Sequence, residues 1–204
     1  MDAKNKVKYN KLVECAAGDY EAFLYDCDGT LADNMPAHQQ TYVDVANRFG
    51  VSIDPAMIME LAGWPVVDVV KEMNRRYGAS MDPVEFAEMR HRLFVDEYIE
   101  QVAPIPFVLH HLVQHAGKHR IAVVSGGERE SVAKTLTVLG ISAYVEVTIC
   151  AGETPHGKPH PGPFLAAAKA LGVAPDKCLV FEDGDPGVVA ATAAGMRAIR
   201  IDKI

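Results

Sequence analysis

Two kinds of apolar spacing divide this chain. Between residues 36 and 49, Val43, Val45, Ala46 and Phe49 fall on helical spacing, and Gly50 stands where such a helix would stop. Further helices fit 55–62, 65–77 and 83–100. Asp54-Pro55 and Asp82-Pro83 open two of these as an N-capping acid followed by proline at the first helical position. No strand-like run occurs in this block. Beyond Pro104, helices at 106–116, 129–139, 163–171 and 186–194 alternate with short apolar runs at 121–124, 145–149, 178–181 and 197–201. Together with the run 22–25, these predict a parallel sheet, because continuous apolar strands alternating with helices are buried on both faces.

The whole helical block separates the first run from the second, which predicts an insertion between them. The expected architecture is an open α/β core with a parallel five-stranded sheet and helices on both faces. Residues 1–33 and 103–204 would form this core, and residues 34–102 an inserted all-helical cap. Residues 1–20 are polar with few apolar anchors and read as a leader with a short helix around 11–17. In such sheets ligands sit beyond the carboxyl ends of the strands.

Composition narrows the partners. At 204 residues and 49% hydrophobic content the chain can bury a full core. A net charge of −7 without a long basic run argues against nucleic acid or an anionic membrane surface. No apolar run approaches the length of a membrane span, and Lys4, Lys6, Lys8 and Lys11 among polar residues leave no apolar signal-peptide core. Cys15, Cys27, Cys150 and Cys178 lack paired or metal-type spacing, so free thiols in a reducing cytoplasm are expected.

The chemistry collects where strands are expected to end. Asp26 and Asp28 follow the first run, and alternate residues of an extended segment point the same way, so their carboxylates share one side and Cys27 faces the other. Gly29 permits a sharp turn and Thr30 adds a hydroxyl donor. Taken alone, the pentapeptide also reads as an acidic turn. After the second strand, Ser125-Gly126-Gly127 offers a hydroxyl and open amides at a helix start, either an anion site or a turn with a serine cap. After the third, Pro159 and Pro161 restrict the backbone around Lys158, which suits a fixed cation; a solvated loop lysine is the alternative. After the fourth comes Glu182-Asp183-Gly184-Asp185. Crowded carboxylates repel unless a cation neutralises them, and hard oxygen ligands favour magnesium. Asp185, ahead of Pro186, fits a helix N-cap. His111, His115 and His119 fall four apart, but Gly117 is read as interrupting their helix and no carboxylate joins them, so a solvated surface is expected.

In this order, Asp26-Cys27-Asp28-Gly29-Thr30-Leu31-Ala32-Asp33, Ser125, Lys158-Pro159 and Glu182-Asp183 resemble the motifs of the haloacid dehalogenase superfamily, whose core sheet is Rossmann-like. The stretches Phe181-Glu182-Asp183-Gly184-Asp185-Pro186-Gly187 and Ala193-Ala194-Gly195-Met196 are similar to those of β-phosphoglucomutase-like and fructose-1-phosphate phosphatase-like sugar phosphatases. The resemblance implies Asp26 as nucleophile and Asp28 as general acid and base. It implies Mg2+ on Asp26, Asp28, Glu182 and Asp183, with Thr30, Ser125, Gly126 and Lys158 around the phosphate. Asp28 argues for phosphoryl transfer, since the dehalogenases of the family lack the second aspartate. Ala62, where the mutases carry a lysine before the glycine that is here Gly63, favours a phosphatase over a mutase. His38, Gly63 and Trp64 are candidate substrate residues of the cap; for His38 a packed or surface role is the alternative. Gly162 replaces the acid that relatives carry after Lys-Pro-x-Pro. The expected protein is a magnesium-dependent, cytoplasmic, monomeric phosphatase of a small phosphorylated metabolite, fructose-1-phosphate-like. The alternatives are a hexose-phosphate mutase and a non-catalytic magnesium- and phosphate-binding protein.

Overall fold

The computed structural model describes residues 1–61 and 64–204, which form two compact units, one of residues 1–33 and 102–204 and one of residues 34–101. The first is built on five parallel strands. In chain order these are β1 (Ala22–Tyr25), β4 (Arg120–Val124), β5 (Val147–Ile149), β6 (Cys178–Glu182) and β7 (Arg197–Arg200), arranged β5-β4-β1-β6-β7. Two short strands, β2 (Ala32–Asp33) and β3 (Ala103–Pro104), pair antiparallel beside them. β1 is central, with Tyr25 level with Val123 on one side and Phe181 on the other.

Strand alternation sorts β1 onto two cores. Phe23 and Tyr25 join a cluster with Leu12, Phe107, Leu112, Val132 and Leu136. These come from α1 (Ala3–Cys15), α6 (Pro106–His115) and α7 (Arg129–Val138). Ala22 and Leu24 join the opposite cluster with Phe164, Ala167, Leu171 and Ala190. These belong to α8 (Gly162–Leu171) and α9 (Asp185–Ala193). The same alternation carries past the strand end, so Cys27 is fully buried in the Phe23 cluster while Asp26 lies on the other side. All four cysteines are free thiols.

The second unit comprises α2 (Met35–Arg48), α3 (Pro55–Glu60), α4 (Val66–Tyr77) and α5 (Pro83–Leu93). Asp54 caps α3 through the Ala56 amide, and Asp82 caps α5 through the Val84 and Glu85 amides, each followed by proline at the helix start. Tyr42, Val45, Val70, Met73 and Phe86 fill its core.

Four expectations need correction. The leader is a three-turn helix: Asp2 caps α1, Leu12 is fully buried, and Lys8 and Tyr9 lie against Phe107 and His110 of α6. The helix expected over 83–100 is α-helical only to Leu93, then passes through a π-turn at Phe94–Tyr98 and a 3-10 turn at Ile99–Gln101. Widening the coil there buries both Phe94 and Val95. Asp185 is not a cap; Gly184 holds that position and Asp185 pairs with Arg200. The histidine row is not a solvated face. Gly117 lies beyond the end of α6, in a turn at φ +79°, so the helix runs intact to His115 and packs His111 onto β1. His111 is fully buried and bonds the Tyr25 hydroxyl at 2.8 Å, and His119 stacks on Phe23 at 4.2 Å. Among the described residues, no helix is long and apolar enough to cross a membrane.

Candidate active site

Parallel strands place their carboxyl ends at one edge, and the chemistry gathers there. Asp26 continues β1, its amide still bonded to Phe181 of β6 at 2.9 Å. Glu182 ends β6 and Ser125 follows β4. Lys158, in the connection from β5 to α8, reaches across to the ends of all three inner strands, β4, β1 and β6. Its ammonium donates to Asp26 Oδ1 at 2.7 Å, to Glu182 Oε1 at 2.5 Å and to the Val124 carbonyl at 2.8 Å. The ammonium also lies over the ring of Phe164, 5.2 Å from its centre. Lys158 is thus no solvated loop residue.

Neighbouring groups complete the edge. Thr30, fully buried, donates its hydroxyl to Asp183 Oδ1 at 3.3 Å; its partner is therefore the acid that follows the neighbouring strand β6. Ser125 Oγ accepts from the Gly127 amide at 2.9 Å. A Cβ placed on Gly127 would lie 3.2 Å from Ser125 Oγ and 3.3 Å from Asp28 Oδ2, so this glycine keeps the serine and the second aspartate close together. Gly126 is exposed with open space around it. Gly187, in the first turn of α9, is still tighter: a Cβ there would fall 1.9 Å from the Glu182 carboxylate. Gly187 closes the stretch that carries the sugar-phosphatase resemblance, but the sequence assigns it no role, and only the packing shows what it makes room for.

The electrostatics follow from crowding. Burial, opposed mainly by Lys158, raises the Asp26 carboxyl. Burial and then Asp26 push Glu182 up to about 8, and the same two causes push Asp183 up to about 6. Burial alone would discharge Lys158, but Asp26 and Glu182 outweigh it and hold the ammonium protonated well beyond its ordinary range. Carboxylate oxygens of Asp26, Glu182 and Asp183 lie within 4.8 Å of one another. Three ionised carboxylates against one ammonium would leave two negative charges in a buried site. Hard, closely grouped oxygen donors with that excess fit a divalent cation such as magnesium.

The remaining candidates lie in the helical unit or outside the described residues. His38 stacks on Phe94 at 4.0 Å, with Arg90 Nη1 3.4 Å from its Nδ1. Trp64 is about half exposed on a groove of about 590 Å³ that runs along α4 past Asp68 and Arg75. Gly63, with Ala62, lies outside the described residues.

Comparison with known proteins gives the family. The family model for haloacid dehalogenase-like hydrolases matches residues 20–195. The chain is 32% identical to fructose-1-phosphate phosphatase YqaB of Escherichia coli (strain K12), over 89% of this chain and 96% of that protein. It is 28% identical to hexitol phosphatase A of the same organism, over 89% and 83% of the two chains. Among solved structures, β-phosphoglucomutase of Clostridium difficile superposes with a TM-score of 0.75 at 27% identity, over 88% of this chain and 83% of that one. On the family match and the identity to YqaB, the chain belongs to the haloacid dehalogenase-like hydrolase family.

Proposed function

We propose that this phosphoric monoester hydrolase acts on a small sugar phosphate of the fructose-1-phosphate type, through an aspartyl-phosphate on Asp26. The carrying observation is the Lys158 ammonium shared between Asp26 and Glu182 at the carboxyl edge of the sheet. A cation 2.7 Å from Asp26 favours its ionised, nucleophilic form and offsets the repulsion between an anionic nucleophile and an anionic ester. The relatives named for fructose-1-phosphate and hexitol phosphates supply the substrate class.

In the first half-reaction an Asp26 carboxylate oxygen bonds to phosphorus while the bond to the sugar oxygen breaks, and Asp28 gives that oxygen a proton. In the second, Asp28 takes a proton from water as the water oxygen bonds to phosphorus, and the bond to Asp26 breaks to release phosphate. Ser125 and Gly126 would hold the phosphoryl oxygens as charge shifts, together with Lys158. Thr30 holds Asp183 through its hydroxyl. Asp26, Glu182, Asp183 and the Asp28 carbonyl would hold a magnesium ion, which when bound neutralises charge between nucleophile and phosphate.

The test is phosphate release from a panel of sugar phosphates by the wild type and Asp26→Asn. Release by the wild type and its loss in the variant are expected; equal release by both refutes the nucleophile. The structural likeness to β-phosphoglucomutase keeps one second reading, a hexose-phosphate mutase. It requires a sugar bisphosphate for turnover and yields no net free phosphate.

A further inference from the structure

Beyond the groups that meet the phosphate, we propose that Arg129 and Glu153 form a clasp that sets the spacing between its two gripping loops, the Ser125 loop after β4 and the Lys158 loop after β5. This rests on the reading of Ser125 and Lys158 as phosphate ligands. Arg129 opens α7, immediately after the Ser125 loop, and its guanidinium grips Glu153 with two parallel bonds, from Nε to Oε1 and from Nη2 to Oε2, the second at 2.7 Å. The same Nη2 donates to the Thr148 carbonyl of β5 at 2.8 Å, and Glu153 Oε2 also accepts from the Cys150 amide at 2.9 Å. Each side chain therefore contacts the other loop's side chain and the backbone at the end of β5.

Two main-chain bonds run alongside. The Ala151 amide donates to Gly127 O, and the Ser125 amide to Ile149 O, both at 2.9 Å. Between Glu153 and Lys158 the chain makes no strand or helix, and β5 is only three residues long and half-buried. Such a segment has little of its own to fix where Lys158 starts its reach to Asp26. A planar guanidinium on a carboxylate supplies direction as well as attraction, which a flexible lysine could not. Arg129 is 57% exposed and Glu153 29%, so the pair contributes little to global stability. Its effect falls on geometry, and both residues are positioning residues that touch no substrate.

The experiment compares Arg129→Gln, Glu153→Gln, their double variant and Arg129→Lys with the wild type, using steady-state turnover of the sugar phosphate that gives the highest wild-type rate and inhibition by inorganic phosphate. Each single variant is expected to raise KM and the phosphate inhibition constant about two- to fivefold, the effect of one well-formed exposed pair, with melting temperature nearly unchanged. The double variant should match the singles rather than multiply them, and Arg129→Lys, which keeps the charge and loses the fork, should behave like Arg129→Gln. Unchanged phosphate inhibition in both single variants, multiplied effects in the double, or full activity in Arg129→Lys would overturn the clasp. Lys158→Gln separates the two claims: if it loses phosphate affinity while the clasp variants do not, only the clasp fails. If Lys158→Gln also binds phosphate normally, the underlying reading of the loop fails.

Discussion

Replacing Gly187 with alanine gives the sharpest test of how the site is held. The added Cβ would sit 1.9 Å from both Cδ and Oε1 of Glu182. Non-bonded carbon and oxygen atoms settle near 3.5 Å, so the carboxylate or the helix start must move by about 1.5 Å. Glu182 is 3% exposed and its Oε1 is 2.5 Å from Lys158 Nζ, leaving it nowhere to go without breaking that bond. Overpacking of this kind costs about 1–3 kcal/mol, and a Lys158 ammonium robbed of one of its two carboxylates adds to it. In a domain of this size that lowers the melting temperature by roughly 3–10 °C. Misplacing catalytic groups by about 1 Å costs on the order of a hundredfold in turnover. The assays are thermal unfolding and kcat/KM for phosphate release. Helix propensity predicts the opposite sign, since alanine is favoured over glycine in a helix by about 1 kcal/mol. A variant that melts at or above the wild-type temperature and turns over within twofold of it would refute the steric argument. Placing the alanine in a Glu182→Asp background, where the carboxylate is one methylene shorter, should remove most of its added cost in stability.

Three further outcomes are expected. Lys158→Gln should reduce kcat/KM by about 10²–10³, the usual loss of one stabilising charge at a phosphoryl site, and a variant within threefold of wild type in steady-state assays would contradict its role. Chelation of divalent cations should abolish phosphate release, and added magnesium should restore it; unchanged turnover in excess chelator would remove the metal from the reading. His111, held down to about 3 mainly by burial and then by His115, His119 and His110, stays neutral in the fold but titrates near its ordinary value when unfolded. Its contribution to stability is therefore complete above about pH 6.5 and is lost as pH falls toward 3, with a ceiling of about 5 kcal/mol. Urea denaturation from pH 7 to pH 4 should show a shallower decline for His111→Gln, which keeps an acceptor for the Tyr25 hydroxyl; parallel curves would refute this.

Local pattern carries much of this fold. The runs 22–25 and 178–181 are continuous and apolar because both faces of their strands are covered, and the proline-led caps of α3 and α5 are written in adjacent residues. The α/β class follows from such signals. The misses share a different origin. Tyr9 and Leu12 of α1 and Ala16 at its C-cap lie three and four apart, but three apolar contacts among many lysines read as a leader until α6 is seen opposite. His111 reads as polar by type, and only the Tyr25 hydroxyl across the core gives it a reason to be buried. At the site, strand order places Asp26, Ser125, Lys158 and Glu182 after successive strands of one edge. It does not say that Lys158 divides itself between two acids, that Thr30 serves Asp183, or that Gly187 makes room for Glu182. Those are contacts between segments far apart in the chain, which no local spacing encodes.

The position of β1 has a consequence for how the enzyme would fail. Hydrogen-bonded on both flanks and covered above and below, it is the segment that opens last, and the carboxylate of Asp26 rides on it. Lys158 instead hangs from a tether behind the sheet's outermost strand, where fraying begins. Mild denaturant would therefore silence the chemistry while leaving the surroundings of Asp26 intact, because the first thing to drift away is its counter-charge.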